Sequence, residues 1–188
     1  MIYPVVAYGD PILRKVARDF SEEELKDVKT LAADMFETME GASGVGLAGP
    51  QIGIAKRIFV IDSNLMIDEE SEGEEKGLRS AFINAKIIEE FGEEFGFDEG
   101  CLSIPGINGE VVRKESIKIK YLDEELNEKE EVFTGMTARV IQHEYDHIEG
   151  KLFTDYLSPI KKRLIKSKLN NITKGKANHS YRMRFPKK

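Results

Sequence analysis

Apolar residues first fall into register at Leu25, Val28, Leu31, Ala32, Met35, Phe36 and Met39, the three- and four-residue spacing of one helix face. Ser21, three residues before Glu24, offers a capping-box start, and Gly41 ends the run. The stripe reads as a core face. Residues 57–62 then read as a buried strand and 81–90 as another, while Val111, Val112 and residues 117–121 alternate as half-buried strands do. Residues 123–127 make a polar turn, and 131–134 return as a partner strand. A helix is predicted from Gly135 to a stop at Gly150. Ser158 and Pro159 open a last helix, with Ile160, Leu164, Ile165 and Leu169 along one side and lysines around the rest. Residues 63–79 are acidic, carry glycine and serine, show no periodicity, and are expected to form a mobile surface loop.

With 188 residues, no repeat and no linker, the pattern predicts a single compact α+β domain: antiparallel sheets packed around the helix that begins at Gly135. No apolar run approaches a membrane span, and the first residues match neither a secretory signal nor a transit peptide, so a cytoplasmic address is expected. Charge divides the chain. Residues 1–155 hold all 34 acids against 17 Lys and Arg, whereas 156–188 hold 11 Lys and Arg and no acid. An acidic body with a basic end bears on partners and not on fold.

The narrowest chemical demand is Gln142-His143-Glu144-Tyr145-Asp146-His147. Two histidines four apart share a helix face, so both imidazoles can reach one metal ion, with Glu144 beside them to move protons. Two of the chain's 3 histidines sit here; the third, His179, lies in the polar tail. A catalytic metal needs a further protein ligand. The long-motif zinc proteases place a histidine six residues after the second, where this chain has Phe153. Thermolysin-like enzymes take a later glutamate, and no acid follows Asp155. The ligand must come from upstream, and Cys101, the single cysteine, is the candidate: a thiolate suits zinc or ferrous iron. Gly44, Gly46, Gly49 and Gly53 lack the sequence of a phosphate loop; plain turns and a backbone that must come close to a ligand explain them equally.

Gly44-Val45-Gly46-Leu47-Ala48-Gly49-Pro50-Gln51, Glu99-Gly100-Cys101-Leu102-Ser103 and the histidine motif, in this order and spacing, resemble the peptide deformylase family over residues 1–160. Gly49 stands where that family usually has alanine, which would free the backbone beside Pro50. Residues 63–79 look like an insertion, and the basic tail past Lys174 lies beyond the resemblance. Residues 1–158 would be the catalytic domain, with 159–188 a basic helix and tail of the same domain or an appendage.

The resemblance implies hydrolysis of the N-formyl group from the initiator methionine of nascent polypeptides, releasing formate. It implies one divalent metal held by Cys101, His143 and His147: ferrous iron (Fe2+) in the cell, with Zn2+, Ni2+ or Co2+ able to take its place. Glu144 would move the protons, and the Gln51 side chain and Leu102 N–H would hold the oxyanion. Val45 and Gly46 of the glycine stretch, with Met136 and Val140 of the helix, are candidates to receive the methionine side chain, although Met136 and Val140 suit core packing as well. Glu99, Asp146 and Arg113 could orient the ligating histidines or form surface ion pairs. The basic end is a candidate ribosome contact; no membrane or DNA partner is expected. Two other readings stay open: an endopeptidase, and a structural metal site in a nucleic-acid-binding protein, for which His179 would have to be the fourth ligand.

Overall fold

The computed structural model describes residues 1–67 and 77–186. The N-terminal stripe winds in two stages, a 3-10 turn over Glu24–Asp27 and then helix α1, Val28–Gly41. The Glu24 carboxylate accepts from Ser21 N–H at 2.9 Å, the return half of the expected capping box, and is also gripped by Arg18 and Lys56. Those ties hold the first turn tight before the regular helix begins.

Five strands follow: β2 (Gly46–Ala48), β3 (Ile58–Asp62), β4 (Arg79–Glu99), β5 (Gly109–Leu122) and β6 (Glu128–Thr134). They pair in that order, each antiparallel to its neighbours. Alternation along β3 sorts the core. Ile58 and Val60 face α1 with Met35, Met39 and Ile83, while Phe59 and Ile61 join Phe82, Ile117, Ile119, Ala138 and Ile141 on the other face. Ala138 and Ile141 belong to helix α2, Gly135–Ile148, which carries the histidine motif across the sheet. Gly150, at φ +71°, ends the segment, with its N–H donating to His147 C=O and that of Lys151 to Asp146 C=O.

β4 runs 21 residues, well beyond the expected 81–90. Its register against β5 shifts between Ile83 and Lys86, Ile87 and Glu89, and Phe91 and Glu94. Each shift inverts the in-out alternation, and Gly92 and Gly96 remove two side chains from it, so no single period two survives in the sequence. Ser63–Met66 form a 3-10 turn in which buried Ser63 meets Thr137 at 2.9 Å; the middle of the expected loop, 68–76, lies outside the described residues.

Helix α3, Pro159–Thr173, is capped by Ser158, whose side chain accepts from Lys161 N–H. Its buried side meets the expected one at Ile165 and Leu169 and departs from it at Ile160 and Leu164. Ile165, Leu169 and Ile172 form the packed face, whereas Ile160 and Leu164 are 75% and 71% exposed. Positions 165, 169 and 172 keep the i, i+4, i+7 phase, and 160 and 164 fall outside that sector. After α3 the chain turns back, and β7 (Met183–Arg184) pairs in parallel with β1 (Val5–Val6). Among the described residues no helix is long and apolar enough to cross a membrane.

Candidate metal centre

α2 lies against the sheet almost wholly buried, so its polar residues are there by requirement. His143 and His147 stack one turn apart, ring centroids 5.2 Å from each other and nearly perpendicular. The turn after β4 brings Cys101 to them, Sγ lying 3.3 Å from His147 Nε2. One donor atom from each of the three residues falls within 4.8 Å of the others. His143 Nδ1 is taken by Glu99 Oε2 at 2.9 Å, leaving its Nε2 for the shared point. A soft thiolate and two imidazoles converging in this way fit a divalent cation. Phe153, where a protease would place its third histidine, is buried with its ring 6.3 Å from that of His143. His179 is not in the cluster; its Nδ1 is engaged by the Tyr181 carbonyl at 2.7 Å.

Glu99 is the hinge of a buried charge network. It accepts from Arg113 Nε at 2.7 Å and Nη2 at 3.0 Å, and from Arg139 Nη1 at 3.1 Å, besides His143. Arg113 passes its remaining nitrogen to Asp146 at 2.8 Å, and Asp146 also accepts from Tyr156 OH at 3.0 Å. These are interior contacts and not surface pairs. Burial alone would raise the Glu99 carboxyl, but the hydrogen bonds from His143 and Arg113 outweigh it and hold the group well below the usual carboxylate range. Asp146 therefore supports the network through Arg113; the Nδ1 of His147 is buried with no partner among the described residues.

Glu144 is also buried, its Oε2 without a partner among the described residues, and burial pushes its carboxyl up to about 7. Gly46 explains the glycine stretch: a Cβ there would sit 2.7 Å from Glu144 Cδ, so the close approach is to a side chain of this chain. Gly49 is likewise a matter of packing and not of freedom, since its Cβ would lie 2.8 and 2.9 Å from the carbonyl oxygens of Lys56 and Ile54. Gln51 is fixed by Ala48 N–H, which donates to Oε1 at 2.7 Å. Its amide nitrogen must then face the site, 3.4 Å from both Cys101 Sγ and Ser103 Oγ.

A cavity of about 460 Å³ opens over these groups. Val45, Gly46, Gln51, Cys101, Leu102, Val140, His143 and Glu144, all singled out from the sequence, line it. Met136 does not; it sits one turn nearer the start of α2, about 6 Å further along the helix axis than Val140. Residues the sequence reading missed complete the lining, among them Met66, Phe97 and Arg139, with 178–181 from the tail. Arg139 was detectable in principle as a lone cation amid Ala138, Val140 and Ile141, four residues before His143.

The family model for polypeptide deformylase matches residues 2–163. A peptide deformylase of Cytophaga hutchinsonii is 56% identical over 186 residues, covering 99% of this chain and 98% of its own, so the likeness continues through the tail that the motifs alone left out. Among solved structures, a peptide deformylase from Ehrlichia chaffeensis superposes with a TM-score of 0.82 at 33% identity, over 93% of this chain and 98% of that one. One from Legionella pneumophila gives 0.76 at 38% identity, over 96% and 100%. By sequence and fold alike, the chain belongs to the polypeptide deformylase family.

Proposed function

We propose that the protein hydrolyses the N-formyl group from the initiator methionine of nascent polypeptides, giving formate and a free amine. The observation that carries this reading is the convergence of Cys101, His143 and His147 beside a buried carboxyl, Glu144, in one cavity. A divalent ion held by those three would supply Lewis acidity toward water and the formyl carbonyl. The chain's own groups do the rest. Glu144, raised by burial and with Oε2 unpartnered, accepts the proton of the attacking water and returns it to the leaving amine. The Gln51 amide and the Leu102 N–H donate to the oxyanion that forms at the formyl carbon. Glu99 holds His143 in the tautomer that presents Nε2. Val45, Gly46 and Val140 receive the methionine side chain.

A formyl carbon bears a hydrogen where an internal peptide bond carries a further residue, so it asks less room at the reacting centre. The endopeptidase reading lacks the further ligand of its usual forms, because Phe153 stands where a third histidine would and no acid follows Asp155. The structural-site reading lacks its fourth ligand, because His179 is not among the side chains that converge with Cys101, His143 and His147. The native ion is proposed to be ferrous iron, which a thiolate with two imidazoles suits, with Zn2+, Ni2+ and Co2+ able to substitute. The place of action is the cytoplasm, at the ribosome. Exposed Ile160 and Leu164 beside Lys161, Lys162, Lys166 and Lys168 give α3 a basic, partly apolar outer face suited to ribosomal RNA. Formate release from formyl-Met-Ala-Ser, abolished by a chelator and restored by Fe2+ or Co2+, tests the activity. No release from metal-loaded protein refutes it.

A further inference from the structure

The turn that carries Cys101 and Leu102 has its three successive carbonyls held from different places. Cys101 C=O accepts from Ile104 N–H at 2.9 Å, and Ser103 C=O from Tyr8 N–H at 2.8 Å. Between them, Leu102 C=O accepts the hydroxyl of Tyr181 at 2.7 Å, a contact spanning 79 residues of sequence. The outer two carbonyls are held by main-chain N–H groups, which no substitution but proline removes. The middle one depends on a single side chain from the C-terminal segment, beyond the span matched by the family model.

That segment is built to hold its place. His179 Nδ1–H donates to Tyr181 C=O, and the His179 ring lies 5.9 Å from Tyr181 and 5.7 Å from Phe185. Two residues further on, β7 is locked to β1, with Val5 N–H donating to Arg182 C=O and Ala7 N–H to Arg184 C=O. Arg184 also reaches Asp10 at 3.5 Å. Phe185, Met183 and Ala177 pack on the cluster that includes Ile104, as Cys101 does. Residues 178–181 then form one wall of the cavity that contains Glu144 and Cys101.

We propose that Tyr181 is a positioning residue for the reaction: its hydroxyl fixes the peptide plane after Leu102 and so aims the Leu102 N–H at the oxyanion. This rests on the deformylase reading and assigns the C-terminal segment a part in it. The Leu102 N–H shares its peptide plane with the Cys101 carbonyl, which Ile104 N–H holds, and the Tyr181 hydroxyl holds the next plane; the two anchors together fix the dihedrals at Leu102, and an unanchored Leu102 carbonyl lets the residue turn. The loss then falls where charge develops, in the transition state, and not in ground-state binding.

Tyr181→Phe removes the donor and keeps the ring. With iron- or cobalt-loaded protein and both formyl-Met-Ala and formyl-Met-Ala-Ser, kcat is expected to fall about threefold to tenfold, the range for one neutral hydrogen bond, at unchanged KM. The absorption spectrum of the cobalt form stays that of the wild type, because no ligand has moved. His179→Ala, which loosens the segment but keeps the hydroxyl, shows a smaller loss in the same direction. A wild-type kcat in Tyr181→Phe overturns the proposal. So does a rise in KM that accounts for the whole loss, or an altered cobalt spectrum, which would make Tyr181 a support of the substrate or of the metal ligands. Failure of the wild type to release formate would instead sink the deformylase reading, and shows before any variant is compared.

Discussion

Replacing Arg113 with methionine removes the cation that ties both buried carboxylates together while keeping the apolar stem of the side chain. Three charge-assisted hydrogen bonds go, two to Glu99 and one to Asp146. Glu99 keeps Arg139 and His143, but Asp146 is left with the Tyr156 hydroxyl alone. Leaving a buried ion without its partner costs about 3–5 kcal/mol. At roughly 2–4 °C per kcal/mol for a chain of this size, the Tm should drop by roughly 6–20 °C. Arg14→Met is the internal control. It breaks an Arg–Asp pair of similar length, 2.6 Å to Asp155, whose members are 44% and 41% exposed. Solvent screening limits that loss to about 1 kcal/mol or less. Glu99 also orients His143, so metal affinity in Arg113→Met should weaken by about 10- to 100-fold. Thermal unfolding and competition with a metal-sensitive dye read the two effects. If Arg113→Met lowers the Tm no more than Arg14→Met does, the buried network is not supporting the metal helix and the reasoning fails.

Two further outcomes follow from single contacts. Cys101→Ser, cobalt-loaded, should lose the sulfur charge-transfer band seen in the wild type; an unchanged spectrum would place the third ligand elsewhere. Gly49→Ala should destabilise by about 1–3 kcal/mol in urea unfolding, because two backbone carbonyls must give way to its Cβ, and wild-type stability would show that the loop has slack.

Much of this site was legible because it is written in local spacing. His143 and His147 needed only the helical period, and Cys101 followed from Phe153 standing where a third histidine would and from the lack of any acid after Asp155. What escaped was long-range. Nothing near Tyr181 in sequence signals a bond to Leu102, since a half-buried tyrosine in a polar tail looks like any other. The far half of β4 was hidden by its own register shifts. Ile160 and Leu164 were misplaced for a related reason: four apolar residues on α3 admit two helical phases, and only the cluster around Phe153 and Leu157 selects between them. Gly46 admitted a plain turn as readily as a close approach, because its neighbour, Glu144, lies 98 positions away and only the fold brings them together.

The central claim is that Glu144 moves protons at a metal held by other residues. Metal content and formate release from formyl-Met-Ala-Ser, measured on the same preparation of wild type and Glu144→Ala, test it most directly. The account expects one ion per chain in both proteins, with formate released by the wild type and none above background by the variant. Near-normal formate release by Glu144→Ala, or loss of its metal, would contradict it.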